Sequence, residues 1–539
     1  MPDSLPVIVV SSERQVECPT VSEPHEQEMR HPLGRYSWAL ACATILIVAA
    51  VLRFYKLELK PLHNDEGVNA FFFLRLFREN FYRYDPANYH GPTLYYFALI
   101  TSSVNTLFLG DRGVNIIALR SVPVMFGLAT VYLIFCLRKF LGSTAAFVGA
   151  TLLAVSPGAV YFSRDFIHEA IFVFLTLALV IAALKAYENA TWTSSLMFSI
   201  LAALLFATKE TAGISIGVLC LALAATLFWR SRTIPSNSTS AEFISQFLDR
   251  LGGPARAARL LLACTAMFVA LSIIFYSSFL DNARSGLRDA VTSLKLWANT
   301  GTTAHKHGIF TYFLWLGKEE SPLLLLGAAG TLIAALRRKC FPLFCGLWAF
   351  GLIAAYSLIP YKTPWLTLNF LAPLALASGY AATETYNLLH SRSQLASRAW
   401  VILLIAAMAV SLFNTWQLNF YRYDDDRNPY VYAQTRRGFL DMVGRVNAIA
   451  KASGTGLQTS IAIMSPDYWP LPWYLRDYPG AGYYGRITQN RTDIVIASAP
   501  QAVLLKGLLG ADYEQVGEYP LRPGVNLVAF ARKAAQSKK

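Results

Sequence analysis

The sequence predicts an all-α polytopic membrane bundle followed by a small C-terminal soluble α/β domain, and three observations carry that reading. Of 539 residues, 55% are hydrophobic and only 15% are charged, with a mean hydropathy of +0.39. A soluble chain of this size carries about 25% charged residues. The apolar residues come in blocks of about 20, the length that crosses a hydrocarbon core. Beyond residue 418 those blocks stop and short β-like runs take over.

Residues 1–37 are polar, acid-containing and without periodicity, and are expected to form a disordered cytoplasmic tail. The first apolar block starts at Trp38 and runs into a polar loop with no small-residue cleavage site, so it reads as a retained span. Apolar segments follow at 93–109, 114–137, 143–162, 166–187, 193–208, 211–229, 259–280, 320–336, 341–359, 365–385 and 398–416. Each must be helical where it crosses lipid, because backbone polar groups there need internal partners. The basic clusters Arg138–Lys139, Arg230/Arg232, Arg337–Arg338–Lys339 and Arg392/Arg398 sit at segment ends and read as cytoplasmic. They agree with one another if 93–109 does not cross fully, which gives about eleven spans over 38–417, N-terminus inside and C-terminus outside. The loop 55–92 is then external, against the five Lys and Arg residues it holds between Lys56 and His90.

The third region, 418–539, begins with the polar linker Tyr421–Pro429, continues with helical periodicity over 432–452, and carries β-like runs at 459–464, 493–498 and 525–531. It is expected to be an extracytoplasmic domain. The net charge of +14 is what Lys- and Arg-rich loops facing anionic lipid supply; no basic groove with stacking aromatics points to nucleic acid. Seven cysteines without metal-type spacing imply neither a disulfide framework nor a zinc site.

Ionisable residues cluster where spans meet the loops. His63-Asn64-Asp65-Glu66-Gly67 places two adjacent carboxylates just after the first span. Such a pair must be hydrated, ion-paired or cation-bound, and a carboxylate there is suited to taking the proton of an acceptor hydroxyl. The plain alternative is a solvated loop with Asp65 capping a helix over 66–80. His90, in the His-Gly-Pro turn that ends the loop, reads equally as a site residue or an interfacial histidine. Ser163-Arg164-Asp165-Phe166-Ile167-His168-Glu169 puts Asp165 and Glu169 four apart, with Arg164 and His168 beside them. Lys209-Glu210 interrupts two apolar runs; a lysine there can hold a phosphate, or close a Lys–Glu turn. Pro360-Tyr361-Lys362-Thr363-Pro364-Trp365 offers Lys362 between interfacial aromatics. Carboxylates to activate an acceptor beside cations to receive a phosphate are the inventory for sugar transfer from a lipid phosphate.

The Asp65-Glu66 pair, the run Gly91-Pro92-Thr93-Leu94-Tyr95-Tyr96, Phe162-Ser163-Arg164-Asp165 and Thr208-Lys209 resemble the GT-C membrane glycosyltransferases, within them the glycosyltransferase family 39 group of protein O-mannosyltransferases and aminoarabinose transferases. Three motifs, around 63–67, 360–365 and Tyr468-Trp469-Pro470-Leu471-Pro472-Trp473, are similar to a family associated with flippase activity in archaeal-type protein glycosylation. The resemblance spans roughly 40–500. It implies a GT-C fold in the cell membrane, a polyprenyl-phosphate-linked sugar donor, and inverting transfer to a lipid, glycan or protein acceptor at the outer face. It further implies Asp65 as the acceptor-activating carboxylate with Glu66 beside it, and Arg164 and Lys209 at the donor phosphate. Asp165, His168, Glu169, Glu210, His90 and Lys362 complete the substrate-binding candidates. Some relatives use a divalent cation and others do not, so the metal stays open. No MIR-type repeat is present, and the family's association with flipping keeps a lipid-linked sugar flippase, or an accessory to one, as the alternative.

Overall fold

The computed structural model describes residues 35–88, 90–233, 248–303, 306–489 and 491–533; of the tail expected over 1–37, all but the last three residues lie outside these. The chain divides after Thr44 into two units. The first contributes, among the described residues, the opening turns of the helix Arg35–Phe54, where Thr44 Oγ1 donates to the Leu40 carbonyl at 2.9 Å. The second, from Ile45 on, holds the rest of the helical bundle and the C-terminal domain.

Among the described residues, eight helices are long and apolar enough to cross a membrane, and a bent pair, Thr311–Glu319 with Ser321–Leu336 at 111°, makes up to nine. Where two further spans were expected, at 143–162 and 193–208, the apolar helices Ser143–Ala154 and Trp192–Phe206 are shorter than the crossing candidates. The segment 93–109 is the helix Thr93–Leu109, which is not among the crossing candidates. The expected span 143–162 is broken at Val155–Ser156, because Ser156 accepts the Ala159 N–H as an N-cap and Pro157 has no N–H to continue the previous helix. An amphipathic helix, Ala283–Thr303, was not foreseen.

The helix Leu368–His390 is the axis of the bundle: every residue from Leu368 to Ala382 is buried, whereas Pro254–Tyr276 buries only Leu260, Ser272 and Tyr276. It packs on Ser143–Ala154 and Ser321–Leu336 through small residues that let backbones meet. A Cβ on Gly379 would lie 2.0 Å from the Ala145 carbonyl oxygen, and one on Gly330 2.1 Å from that of Ala377.

The C-terminal domain holds five strands, β1 (Ile461–Ile463), β2 (Ala481–Tyr483), β3 (Ile494–Ser498), β4 (Tyr513–Arg522) and β5 (Val525–Arg532), in the order β2-β1-β3-β5-β4. β1 runs parallel to β2 and β3; β5 is antiparallel to both β3 and β4. Alternate residues of β3 serve two cores, Ile494 and Ile496 against Phe439 and Met442 of the helix Phe439–Ala452, Val495 and Ala497 against Leu505. The expected runs at 459–464, 493–498 and 525–531 are β1, β3 and β5; β2 and β4 were not foreseen.

One buried ion pair ties the loop after the first span to the bundle. Glu66 and Arg120 both have 0% exposure. The Glu66 carboxylate accepts from Arg120 Nε (2.8 Å) and Nη2 (2.7 Å), from the His63 N–H (2.8 Å) and from the Phe166 N–H (2.7 Å). The rest of the guanidinium donates to the carbonyls of Leu57 and Lys60 at 2.8 Å and of Pro61 at 3.3 Å. Burial pushes the Glu66 carboxyl up, but the Arg120 contact outweighs it and holds the group below its ordinary 4.5. The stability it contributes is therefore complete at neutral pH and is lost only as pH falls from 4.5 through the lower folded value.

Arg120→Met strands a buried carboxylate, and should cost about 3–5 kcal/mol, read as a large fall in the melting temperature of the detergent-solubilised protein. Arg120→Lys should not rescue it, since an ammonium cannot reproduce the fork; full rescue by lysine would contradict the assignment. Gly379→Ala should lose about 1–3 kcal/mol by overpacking. Gly444→Ala, where nothing lies within 4 Å in the helix Phe439–Ala452, should hold or raise stability by up to about 1 kcal/mol.

Candidate active site

The helix Asn64–Glu79 begins where His63 caps it: the Asp65 N–H donates to His63 Nδ1 at 3.1 Å, and Glu66 reaches back to the His63 N–H. His63 Nε2 lies 3.1 Å from the Tyr432 carbonyl, to which it donates while Nδ1 accepts the Asp65 N–H. The cap is His63 rather than Asp65. Asp65 therefore keeps its carboxylate, with 45% of its side chain exposed, for the space in front of the helix.

That space is a cavity of about 280 Å³. Asn64, Asp65 and Asn69 reach it from the helix Asn64–Glu79, His90 from the end of the first loop, and Glu169 from the start of the span Glu169–Asn189. Lys209 and Thr211 come from the break between two apolar helices, and Tyr361, Thr363 and Trp365 from the Pro-flanked loop. Lys209 and Glu169 are buried against each other as an ion pair. His90 Nδ1 is 3.2 Å from Glu210, whose other oxygen accepts from the Tyr84 hydroxyl at 3.2 Å. Burial, with Asp65 and Glu169 close by, pushes the Tyr361 phenol up, so it stays a neutral donor on the wall.

The remaining candidates serve the frame around this cavity. Glu66 is committed to Arg120. Arg164 donates to the carbonyls of Leu52, Arg53, Tyr55 and Lys56 at 2.8–3.1 Å, closing the end of the first span. Asp165 pairs with the buried Lys60, whose ammonium lies 3.8 Å from the centre of the Tyr161 ring. Asp165 lines a second, small chamber that shares Asp65 and Trp365 with the main one. His168 holds the Gly91 carbonyl with Nε2 at 2.9 Å and packs 5.0 Å from the His90 ring. Burial, then His90 and Lys209, lowers its pKa well below 6.5 and keeps it neutral. Lys362 turns away, its ammonium donating to the Ile359 carbonyl at 2.7 Å. Glu210 acts behind His90.

Sequence reasoning passed over Arg120 and Lys60. An arginine four residues into an apolar span gives no pattern of its own, and Lys60 looked like loop charge. It also passed over Asn64 and Asn69, since a single amide at or near a helix start gives no signal of its own. Among the described residues no three His, Cys, Asp or Glu side chains converge, and Glu169 is paired with Lys209.

Residues 90–244 match the dolichyl-phosphate-mannose-protein mannosyltransferase family, a stretch that holds His90, Arg164, Glu169 and Lys209. No curated protein matches the chain. Among solved structures it is similar to ArnT from Cupriavidus metallidurans bound to undecaprenyl phosphate, with a TM-score of 0.57 and 14% identity over 92% of this chain and 98% of that one. The archaeal oligosaccharyltransferase AglB from Archaeoglobus fulgidus, in complex with an inhibitory peptide and a dolichol-phosphate, gives 0.54 and 13% over 86% and 69%. The Archaeoglobus fulgidus oligosaccharyltransferase in complex with Zn and sulfate gives 0.50 and 14% over 85% and 68%. Identities this low speak to architecture alone, which these structures share across most of the present chain. The chain thus has apolar helices long enough to cross a membrane and shares the fold of these structures, and its residues 90–244 are similar to the dolichyl-phosphate-mannose-protein mannosyltransferase family.

Proposed function

We propose that the protein transfers a single sugar from a polyprenyl-phosphate-linked donor to a hydroxyl of a lipid, glycan or protein acceptor at the outer face of the cell membrane. The observation that carries this reading is that Asp65 faces the same cavity as Lys209–Glu169 and His90. The acceptor O–H gives its proton to Asp65 as its oxygen attacks the anomeric carbon. The bond from that carbon to the phosphate oxygen breaks on the opposite face, so configuration inverts and the lipid phosphate leaves with the electron pair. Lys209, a fixed cation beside the break, and His90, oriented by Glu210, receive the phosphate charge. The volume supports a monosaccharide: 280 Å³ is at the lower edge of small-molecule pockets, about 300–1,000 Å³.

The outer-face assignment rests on charge. The spans Ala212–Arg232, Cys340–Leu358 and Pro364–His390 each have a cavity wall at or beside one end, Thr211, Ile359 and Trp365, and a basic cluster at the other. Basic ends face the cytoplasm. A lipid-phosphate donor is supported by the structurally similar ArnT and AglB, which are bound to undecaprenyl phosphate and to a dolichol-phosphate.

The test is transfer of labelled monosaccharide from polyprenyl-phosphate donors by the purified protein in detergent. Asp65→Asn should lower kcat by about 10²–10⁴ with an unchanged melting temperature, and transfer run with and without chelator decides whether a divalent cation takes part. An Asp65→Asn variant that folds and transfers at the wild-type rate removes the base. If folded wild-type protein transfers nothing from any donor, while moving lipid-linked sugar across vesicles, the translocase reading takes its place.

A further inference from the structure

We propose that Arg522, at the end of β4 in the C-terminal domain, is a positioning residue that orients the Asp65 carboxylate through Asn64. The inference rests on Asp65 being the base. A continuous chain of polar contacts joins the two parts: Asp467 pairs with Arg522 Nη2, Arg522 Nη1 donates to Asn64 Oδ1 at 3.3 Å, and Asn64 Nδ2 donates to Asp65 Oδ1 at 3.1 Å.

The polarity of each group fixes the direction. A guanidinium only donates and a carboxylate only accepts, so a side chain between them must accept on one side and donate on the other. A carboxamide does both. With Arg522 on its oxygen, Asn64 has to turn its NH₂ to Asp65. One Asp65 oxygen is then held and the other is left for the proton it must take. The Asp65 side chain is 45% exposed, and without this tether water would leave its rotamer undetermined, which a base in line with a reacting hydroxyl cannot tolerate. Asp467 matters as well. By occupying the other arm of Arg522 it keeps the guanidinium off Asp65, where direct contact would weaken the base. The helix is seated for this purpose from the same domain: a Cβ on Gly67 would lie 2.6 Å from Pro470 Cβ, and the Leu62 N–H donates to the Tyr474 hydroxyl at 3.0 Å.

The test compares kcat, KM for the polyprenyl-phosphate sugar and melting temperature in the full-length protein. Arg522→Gln should lower kcat by about 10- to 100-fold with donor KM and melting temperature unchanged, and Arg522→Lys should recover part of the loss. Asn64→Ala should be equally slow, and the double variant no slower than the worse single, because both break one chain. Asn64→Asp, which can accept from Arg522 but cannot donate to Asp65, should match Asn64→Ala, and carries the test from the membrane side should Arg522→Gln fail to fold. The inference fails alone if Asp65→Asn is inactive while Arg522→Gln and Asn64→Ala run at the wild-type rate. It also fails if the two losses multiply, or if only donor KM moves. Full activity in Asp65→Asn, or no transfer by wild type, removes the base reading and this inference together.

Discussion

Glu66 and Arg120 give up their hydration together, at several kcal/mol per ion, and the chain offsets it by giving each of their oxygens and nitrogens a partner. Those partners come from three separate places. The His63 N–H belongs to the helix start, the Phe166 N–H to the turn before the span Glu169–Asn189, and the three carbonyls to the loop after the first span. One ion pair therefore sets the position of the loop, the helix and the turn relative to each other. The cavity is bounded by two of these, through Asp65 and Glu169.

Buried charge in this protein has two uses, and geometry separates them. Arg164 and Lys362 spend their donors on backbone carbonyls, where they close helix ends and turns. Lys209 and His90 are paired with carboxylates yet still border open space. A membrane protein tolerates ionisable groups at this depth only when they are paired, bound to backbone or facing a polar space.

The fold was largely legible because lipid imposes long apolar runs that a sequence shows directly. What escaped were elements without such runs. The helix Ala283–Thr303 is amphipathic; β2 is three residues around Gly482; β4 contains Pro520 and two register shifts. The break in 143–162 was written in Ser156-Pro157, a capping signal hidden inside an apolar block. The candidate site was legible as a set of ionisable residues beside spans, but not in its division of roles. Asp65 and Glu66 are neighbours in sequence, and successive residues on a helix point about 100° apart. That angle sends one side chain to the cavity and the other to Arg120. Nothing local announces the partner, because Arg120 is 54 residues away.

The contacts that hold the helix start at 61–64 come from the far end of the chain. Gln434 and Thr435 bind the carbonyls of Pro61 and Leu62 across 373 residues, and Arg522 reaches Asn64 across 458. Loop closure over such separations is slow and comes after local structure. A ribosome delivering this chain to the membrane would thus have placed every span before the groups that fix Asp65 existed. Until the last strands were made, the nascent protein would be a bundle with a loosely aimed carboxylate. The strand that carries Arg522 is then the element whose arrival fixes the helix start at Asn64.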